Sequence, residues 1–279
     1  MPRKRLRFGC LPWIALLLAV AAGWWFSQTP SHNRVWADDV AQLLEARVDG
    51  NTVHLNNVRN FTWRSEDDYT VSWESRDYPL DQLQSADLIL SYWMGPHIAH
   101  TLVSFGFTDG RYLTFSLEIR KESHEQFSAW KGFFRQYEQV LVAAEESDII
   151  RTRSNARGED VYIYRVQLDQ PALQRLFLAY VEKAQELQQT PEFYNTLTSN
   201  CTTVIYELAK VIVPLPMDYR LLASGHVAKY VQEQNGLTPN VPYETLQQAG
   251  YINERALQAD ITGEDFSSAI RKGVPGIQQ

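Results

Sequence analysis

The sequence predicts an α+β fold in which an antiparallel sheet packs against helices. Runs with strand-like alternation fill the first half of the chain, the clearest being His100–Phe107 and Arg111–Arg120. Runs with helical spacing fill the second half, led by Gln170–Gln189. Strands grouped ahead of helices favour antiparallel pairing over a parallel, helix-alternating sheet.

The chain has 279 residues, no internal repeat and a formal net charge of −7. Arg3, Lys4, Arg5 and Arg7 all precede the first apolar run, so the remainder carries −11. An acidic body argues against nucleic acid as a partner. Residues 1–9 read as a basic cytoplasmic segment, 10–26 as a signal anchor or transmembrane helix, 27–34 as a linker and 35–279 as one exported domain. The apolar run is at the short limit for a spanning helix, for which ~17–25 residues is usual. A cleaved signal peptide is the rival reading, because residues 19–22 are rich in alanine. Trp24-Trp25-Phe26 instead look like an aromatic belt at a membrane interface and favour an uncleaved, single-pass inner-membrane anchor.

Past the linker, Val35–Ala46 predicts a brief helix, with Val40, Leu43 and Leu44 on one side. Asn51–Trp63 and Asp68–Ser75 read as strands around the turn Ser65-Glu66-Asp67. A helical turn at Asp81–Ser85 then leads to a strand at Ala86–Trp93. In the next pair of strands, Val103, Phe105 and Phe107 alternate against polar neighbours, as do Leu113, Phe115, Leu117 and Ile119. A two-residue Asp109-Gly110 turn would set an apolar face against a polar one. A three-residue loop with Gly110 left-handed pairs Phe107 with Arg111 and matches every later pair by face. That register puts Glu118 directly across from His100.

Ser123–Gln136 carries an aromatic stripe at Phe127, Trp130, Phe133 and Phe134 and reads as helical, although Gly132 weakens it. Val140–Ala144 and Val161–Leu168 predict a further strand pair, separated by the polar stretch Glu145–Asp160. Pro171 starts the long helix Gln170–Gln189, whose buried stripe is Leu173, Leu176, Phe177, Tyr180, Val181 and Ala184. A loop at Thr190–Ser199 leads to a helix beginning at Cys201, with Val204, Ile205, Leu208, Val211 and Ile212 on its apolar face. Pro214 and Pro216 stop it. His226–Glu233 reads as a short helix, and the tail from Asn235 as irregular with brief helical pieces.

Cys10 and Cys201 are the only cysteines, so the exported body holds one thiol and no internal disulfide. Ser199 and Asn200 are helix-capping residue types, and a thiol at a helix N-terminus is biased toward thiolate, the nucleophilic form. A buried, inert cysteine is the plain alternative. A cysteine nucleophile needs a base and a group that orients the base. His100 as base with Glu118 as third member meets both needs, against the alternative of a core histidine beside a solvated acid. His226 is a rival base nearer in sequence, and His54 and His124 have no supporting context. His97 and His100 fall on opposite sides of a strand, so no metal or cofactor is expected. Tyr194 and Asn200 are candidates to line the site, with the backbone N–H of Cys201 as oxyanion donor. Arg120 shares Glu118's face and could bind a substrate anion or pair with an acidic neighbour. Arg151, Arg153 and Arg157 could likewise bind a phosphate or carboxylate, with surface charge the favoured reading.

Ala99-His100-Thr101 through Phe105-Gly106-Phe107, then Phe115-Ser116-Leu117-Glu118-Ile119-Arg120-Lys121-Glu122, and finally Phe193-Tyr194-Asn195-Thr196-Leu197-Thr198-Ser199-Asn200-Cys201-Thr202-Thr203 resemble the Lnb N-terminal periplasmic domain family. The likeness runs from about Val71 to about Tyr230, and Asn-Cys-Thr-Thr is its most specific part. That family is similar to permuted papain-like enzymes of the NlpC/P60 kind, in which the histidine strand precedes the cysteine helix. The resemblance implies acyl transfer: Cys201 as acyl-thioester, His100 as base and then acid, a phospholipid as acyl donor and a lipoprotein amino terminus as acceptor. Lnb-type enzymes continue into several membrane helices, and no further apolar span follows here. The alternatives left by the residues are a papain-like amidase or peptidase acting on peptidoglycan and a non-catalytic, membrane-anchored interaction domain.

Overall fold

The computed structural model describes residues 11–125, 136–196 and 198–277. After helix α1 (Leu11–Ser27) come strands β1 (Glu45–Asp49), β2 (Thr52–Arg59), β3 (Thr62–Trp63), β4 (Tyr69–Thr70), β5 (Trp73–Pro79), β6 (Leu83–Tyr92), β7 (Ala99–Phe107), β8 (Tyr112–Arg120) and β9 (Glu138–Ala144). Helix α2 (Glu146–Arg151) and strand β10 (Asp160–Arg165) follow. The rest is helical: α3 (Gln170–Gln189), α4 (Cys201–Ala209), α5 (Val227–Glu233), α6 (Tyr243–Gly250), α7 (Asn253–Thr262) and α8 (Phe266–Ile270). The result is a mixed α and β fold with a mainly antiparallel sheet.

The main sheet runs β1-β2-β9-β8-β7-β6-β10, with β5 also on β2. Among the described residues its one parallel contact is Arg59 with Ala144, where β2 meets β9. The central hairpin has Val103 opposite Phe115 and Phe105 opposite Leu113. Gly110 closes it at φ 87°, and the Phe107 N–H donates to the Arg111 carbonyl at 3.0 Å. A side chain at that positive φ would be strained, which is why the glycine sits there. This is the face-matched register of the three-residue loop.

The hairpin's apolar face meets α3, whose span and buried stripe are those read from the sequence. The Asp169 side chain caps α3 by accepting from the Ala172 N–H. Phe177 is fully buried, with its ring 5.1, 5.8 and 5.9 Å from Phe105, Phe107 and Phe115. Burial of one such ring is worth about 2 kcal/mol. α4 packs beside α3 on this face through Val204, Ile205 and Leu208.

The hairpin's second face, polar by sequence, is buried as well. Ser104, Thr114 and Ser116 are fully covered there. Around them Ile89, Leu102 and Val142 pack under Ile149, Ile252, Ala256 and Phe266, which come from α2, α7, α8 and the turn before α7. The tail is therefore a cover for the sheet, ordered by three short helices. Asp87 and Glu146 are buried on this face and share the guanidinium of Arg271.

Several local expectations give way to this packing. Val35–Ala46 forms only a short 3₁₀ turn at Asp38–Val40 and then strand β1, because Ala46 pairs with Leu55. The Asp81–Ser85 turn is a 3₁₀ turn at Leu80–Gln82. β9 and β10 do not pair with each other: β9 joins β8 and β10 joins β6, on opposite sides of the hairpin. The polar stretch between them forms α2 and a π turn, held in place by buried ion pairs. α4 ends at Ala209, leaving Val211 exposed. The stripe Phe127, Trp130, Phe133 and Phe134 lies outside the described residues, as do Cys10 and the basic segment before it.

The apolar run does form a helix, α1, and exposes Trp13, Ile14, Leu16, Leu17, Leu18, Val20 and Trp24. Among the described residues no helix is long and apolar enough to cross a membrane. The 17 residues of α1 rise about 26 Å, less than a hydrocarbon core of ~30 Å.

Candidate active site

The register of β7 and β8 brings His100 and Glu118 to one face, and the two side chains meet. His100 Nε2 lies 3.3 Å from Glu118 Oε1. Ser116, two residues before Glu118 and so on the same face, stands between them. Its Oγ is 2.6 Å from His100 Nε2 and donates to Glu118 Oε1 at 2.6 Å. With its one proton given to the carboxylate, the Ser116 hydroxyl offers Nε2 a lone pair. That makes Nε2 the protonated nitrogen and leaves Nδ1 for another partner.

The thiol is delivered by α4. Asn200 caps the helix by accepting from the N–H groups of Thr202 and Thr203, each at 2.9 Å. The Thr203 hydroxyl accepts from the Asn200 N–H at 2.8 Å, completing a reciprocal box. Asn200 Nδ2 also donates to the Thr196 carbonyl at 2.7 Å, so the approach loop is tied to the same side chain. Asn200→Ala is expected to cost about 1 kcal/mol, read as a lower urea midpoint. The Thr202 hydroxyl meets that of Thr101 at 2.9 Å, fixing the first turn of α4 against β7. Cys201, at the first helical position, is buried with its Sγ 3.9 Å from the Thr202 hydroxyl, and its thiol interacts electrostatically with His100.

The electrostatics run along this chain of groups. Burial pushes the Cys201 thiol up, but His100, the Thr101 N–H and the Thr202 hydroxyl outweigh it, and the thiol titrates below its ordinary range. Burial and the Arg153 charge push His100 down, whereas Glu118 and the Cys201 sulfur push it up; the net is an imidazole raised to about 9. Burial would raise Glu118, yet His100, Arg153 and the Ser116 hydroxyl hold it well below the usual carboxylate range. A lowered thiol beside a raised imidazole is a shift of both groups toward a thiolate–imidazolium pair.

The pair opens on a cavity of about 620 Å³. Trp93, Met94, Ile98 and Leu222 form an apolar rim, and Val40, Leu117 and Ile119 an apolar wall. Lys121, Arg157, Glu66 and Glu159 line a charged wall. Tyr194 and Asn200 line the cavity as read from the sequence. The Tyr194 hydroxyl lies against the Cys201 backbone N–H, and burial together with the Cys201 and Glu118 charges raises its pKa. It therefore stays protonated at neutral pH.

Other candidates fall elsewhere. Arg120 is buried beneath the segment before β1, donating to the carbonyls of Val40 at 3.0 Å and Ala41 at 2.6 Å, with its guanidinium over the Trp36 ring. It shares Glu118's strand face but lies two residues farther along, and it is not among the residues lining the cavity. His226 faces another histidine instead: its Nε2 meets His97 Nδ1 at 2.8 Å. His54 pairs with Asp77, and His124 is exposed. Among the described residues no group of three or more His, Cys, Asp or Glu could hold a metal.

Two participants were not singled out from sequence. Ser116 was legible only as a polar-face residue, and its position two before Glu118 is the signal that finds it. Arg153, read as surface charge, is buried, with Nη2 2.7 Å from Glu118 Oε1. Nothing periodic marks it, because it sits in an irregular polar stretch.

The sequence profile of the Lnb N-terminal periplasmic domain matches residues 69–225, over half of the chain. The chain belongs to the Lnb N-terminal periplasmic domain family. The matched span runs from β4 to just before α5 and contains His100, Ser116, Glu118, Arg153, Tyr194 and Cys201. As its description states, the family's domain is periplasmic. No curated protein and no solved structure matches the chain. α7 and α8, which cover the second face of the sheet, lie outside the Lnb match.

Proposed function

We propose that this Lnb-family chain is a membrane-anchored periplasmic cysteine acyltransferase or acyl hydrolase working through a Cys201 thioester. The observation that carries the proposal is the Cys201–His100 pair, backed by Ser116 and Glu118 and open to a cavity with apolar walls. The order of histidine strand before cysteine helix suits a permuted papain-like core. α1 is the anchor: its exposed apolar side chains suit lipid, and its aromatic end suits the interface. Inner-membrane phospholipid is then the nearby acyl donor.

In the first half-reaction the Cys201 thiolate attacks the carbonyl carbon of an ester. The oxyanion receives the Cys201 N–H and the Tyr194 hydroxyl. Collapse breaks the ester C–O bond, and His100 gives its proton to the departing alcohol. In the second, neutral His100 takes a proton from an amine as its nitrogen attacks the thioester. The C–S bond breaks, and thiolate and imidazolium are restored. A lipoprotein amino terminus is the proposed acceptor, and water in its place gives hydrolysis. Glu118 and Ser116 keep the imidazole aimed throughout.

The test is intact-mass spectrometry of the chain after incubation with phosphatidylethanolamine vesicles. One fatty-acyl mass added at Cys201, and lost on addition of a peptide amine, is the expected result. A chain that stays unmodified yet trims muropeptides would replace this function with the peptidoglycan amidase.

A further inference from the structure

Glu118 has a charged neighbour besides His100. Arg153 Nη2 donates to Oε1, the same oxygen that receives the Ser116 hydroxyl. Arg153 Nη1 reaches Glu159 Oε2 at 3.5 Å. Glu159 in turn takes a hydrogen bond from Ser91 on β6. The arginine is 7 % exposed, so its charge is not a solvated one.

Its backbone is delivered by an irregular device. α2 is pinned through Asp148, which takes Arg59 Nε and Nη2 at 2.9 and 3.0 Å, the Phe61 N–H at 2.9 Å and Trp63 Nε1 at 2.7 Å. Beyond α2 the chain widens into a π turn over Thr152–Ala156, with the Arg157 N–H donating to the Thr152 carbonyl at 2.9 Å. The Glu159 N–H then closes on the Arg153 carbonyl at 2.9 Å. Single π turns recur at functional sites, where the extra residue re-aims a side chain. Here it aims Arg153 at Glu118.

We propose that Arg153 is a positioning residue of this active site, holding the Glu118 carboxylate in the place from which it orients Ser116 and His100. The proposal rests on the Cys201–His100 pair being the reacting centre. Geometry and bare charge make opposite contributions here. As a point charge, Arg153 repels the imidazolium and lowers His100. As a clamp, it fixes the carboxylate that raises His100. The groups facing the imidazole are Glu118 from β8, Arg153 from the π turn and Cys201 from α4, with Glu159 beyond Arg153.

The two roles separate in a ¹⁵N-histidine NMR titration of the full chain in detergent micelles, with His100 assigned by its absence in His100→Ala. If Arg153 is a clamp, Arg153→Ala lowers the His100 pKa from about 9 by about one pH unit or more, and Arg153→Lys lies between. Combined with Glu118→Gln, Arg153→Ala then lowers it no further. A His100 pKa that rises or stays unchanged in Arg153→Ala overturns the proposal, because the arginine is then only a charge or a structural filler. Arg153→Lys keeps the test open if Arg153→Ala does not fold: a wild-type His100 pKa in a folded Lys variant also overturns it. Cys201 alkylation near neutral pH should fall about tenfold in Arg153→Ala with unchanged near-ultraviolet circular dichroism. A chain that takes no acyl group from vesicles would count against the acyl-transfer function and leave the titration readable.

Discussion

Arg271→Met is expected to lower the stability of the folded chain by about 3–5 kcal/mol, read as a fall in the urea midpoint with the slope of the transition unchanged. Arg271 is 3 % exposed and bridges two fully buried carboxylates. Its Nε and Nη2 donate to Asp87 Oδ2 at 3.0 and 2.8 Å, and Nη1 and Nη2 to the two Glu146 oxygens at 2.6 Å each. Its guanidinium also lies 3.5 Å from the centroid of the Tyr112 ring. Methionine keeps much of the volume and none of the charge. Asp87 would then keep only Arg165, and Glu146 would face a low-dielectric interior without its cation. Uncompensated buried charge is what makes the loss large. Adding Glu146→Gln to Arg271→Met should recover part of it, since one stranded carboxylate is gone.

His100→Ala is expected to slow acylation of Cys201 from vesicles by about 10²–10⁴-fold at pH 7. Two losses combine. Without the imidazolium, burial alone acts against the Thr101 N–H and Thr202 hydroxyl, and the thiol returns to its neutral form. The proton for the departing alcohol is lost as well. Glu118→Gln should act in the same direction and more weakly, because Ser116 still occupies the space between the two groups.

The architecture was legible where local pattern and tertiary packing agree. The alternation of Leu113, Phe115 and Leu117 fixed the hairpin register, and with it the meeting of His100 and Glu118. The stripe of α3 and the Asn200 cap of α4 were equally local. What sequence alone could not supply is what covers the hairpin's second face. Ser104 and Thr114 look solvated in an alternating strand, yet distant α7 and α8 bury them, and Arg271 satisfies charges more than 100 residues away in the chain. The same limit hid Arg153. A lone arginine in a polar stretch carries no period, and its meaning comes from a π turn and from Glu118. Arg120 erred the other way: strand alternation gave its face correctly and said nothing of the N-terminal segment that covers it.

The most direct test of the account is the pH dependence of iodoacetamide alkylation at Cys201. It is read on the Cys201 peptide by mass spectrometry, because Cys10 is the chain's other thiol. A thiolate–imidazolium pair spans the interval between the lowered Cys201 value and the His100 value of about 9. The rate should reach half its plateau below the ordinary thiol value, and His100→Ala should move that midpoint up to or above the ordinary value. A single rise at the ordinary thiol pKa in the wild-type chain, unaltered by His100→Ala, would contradict the account.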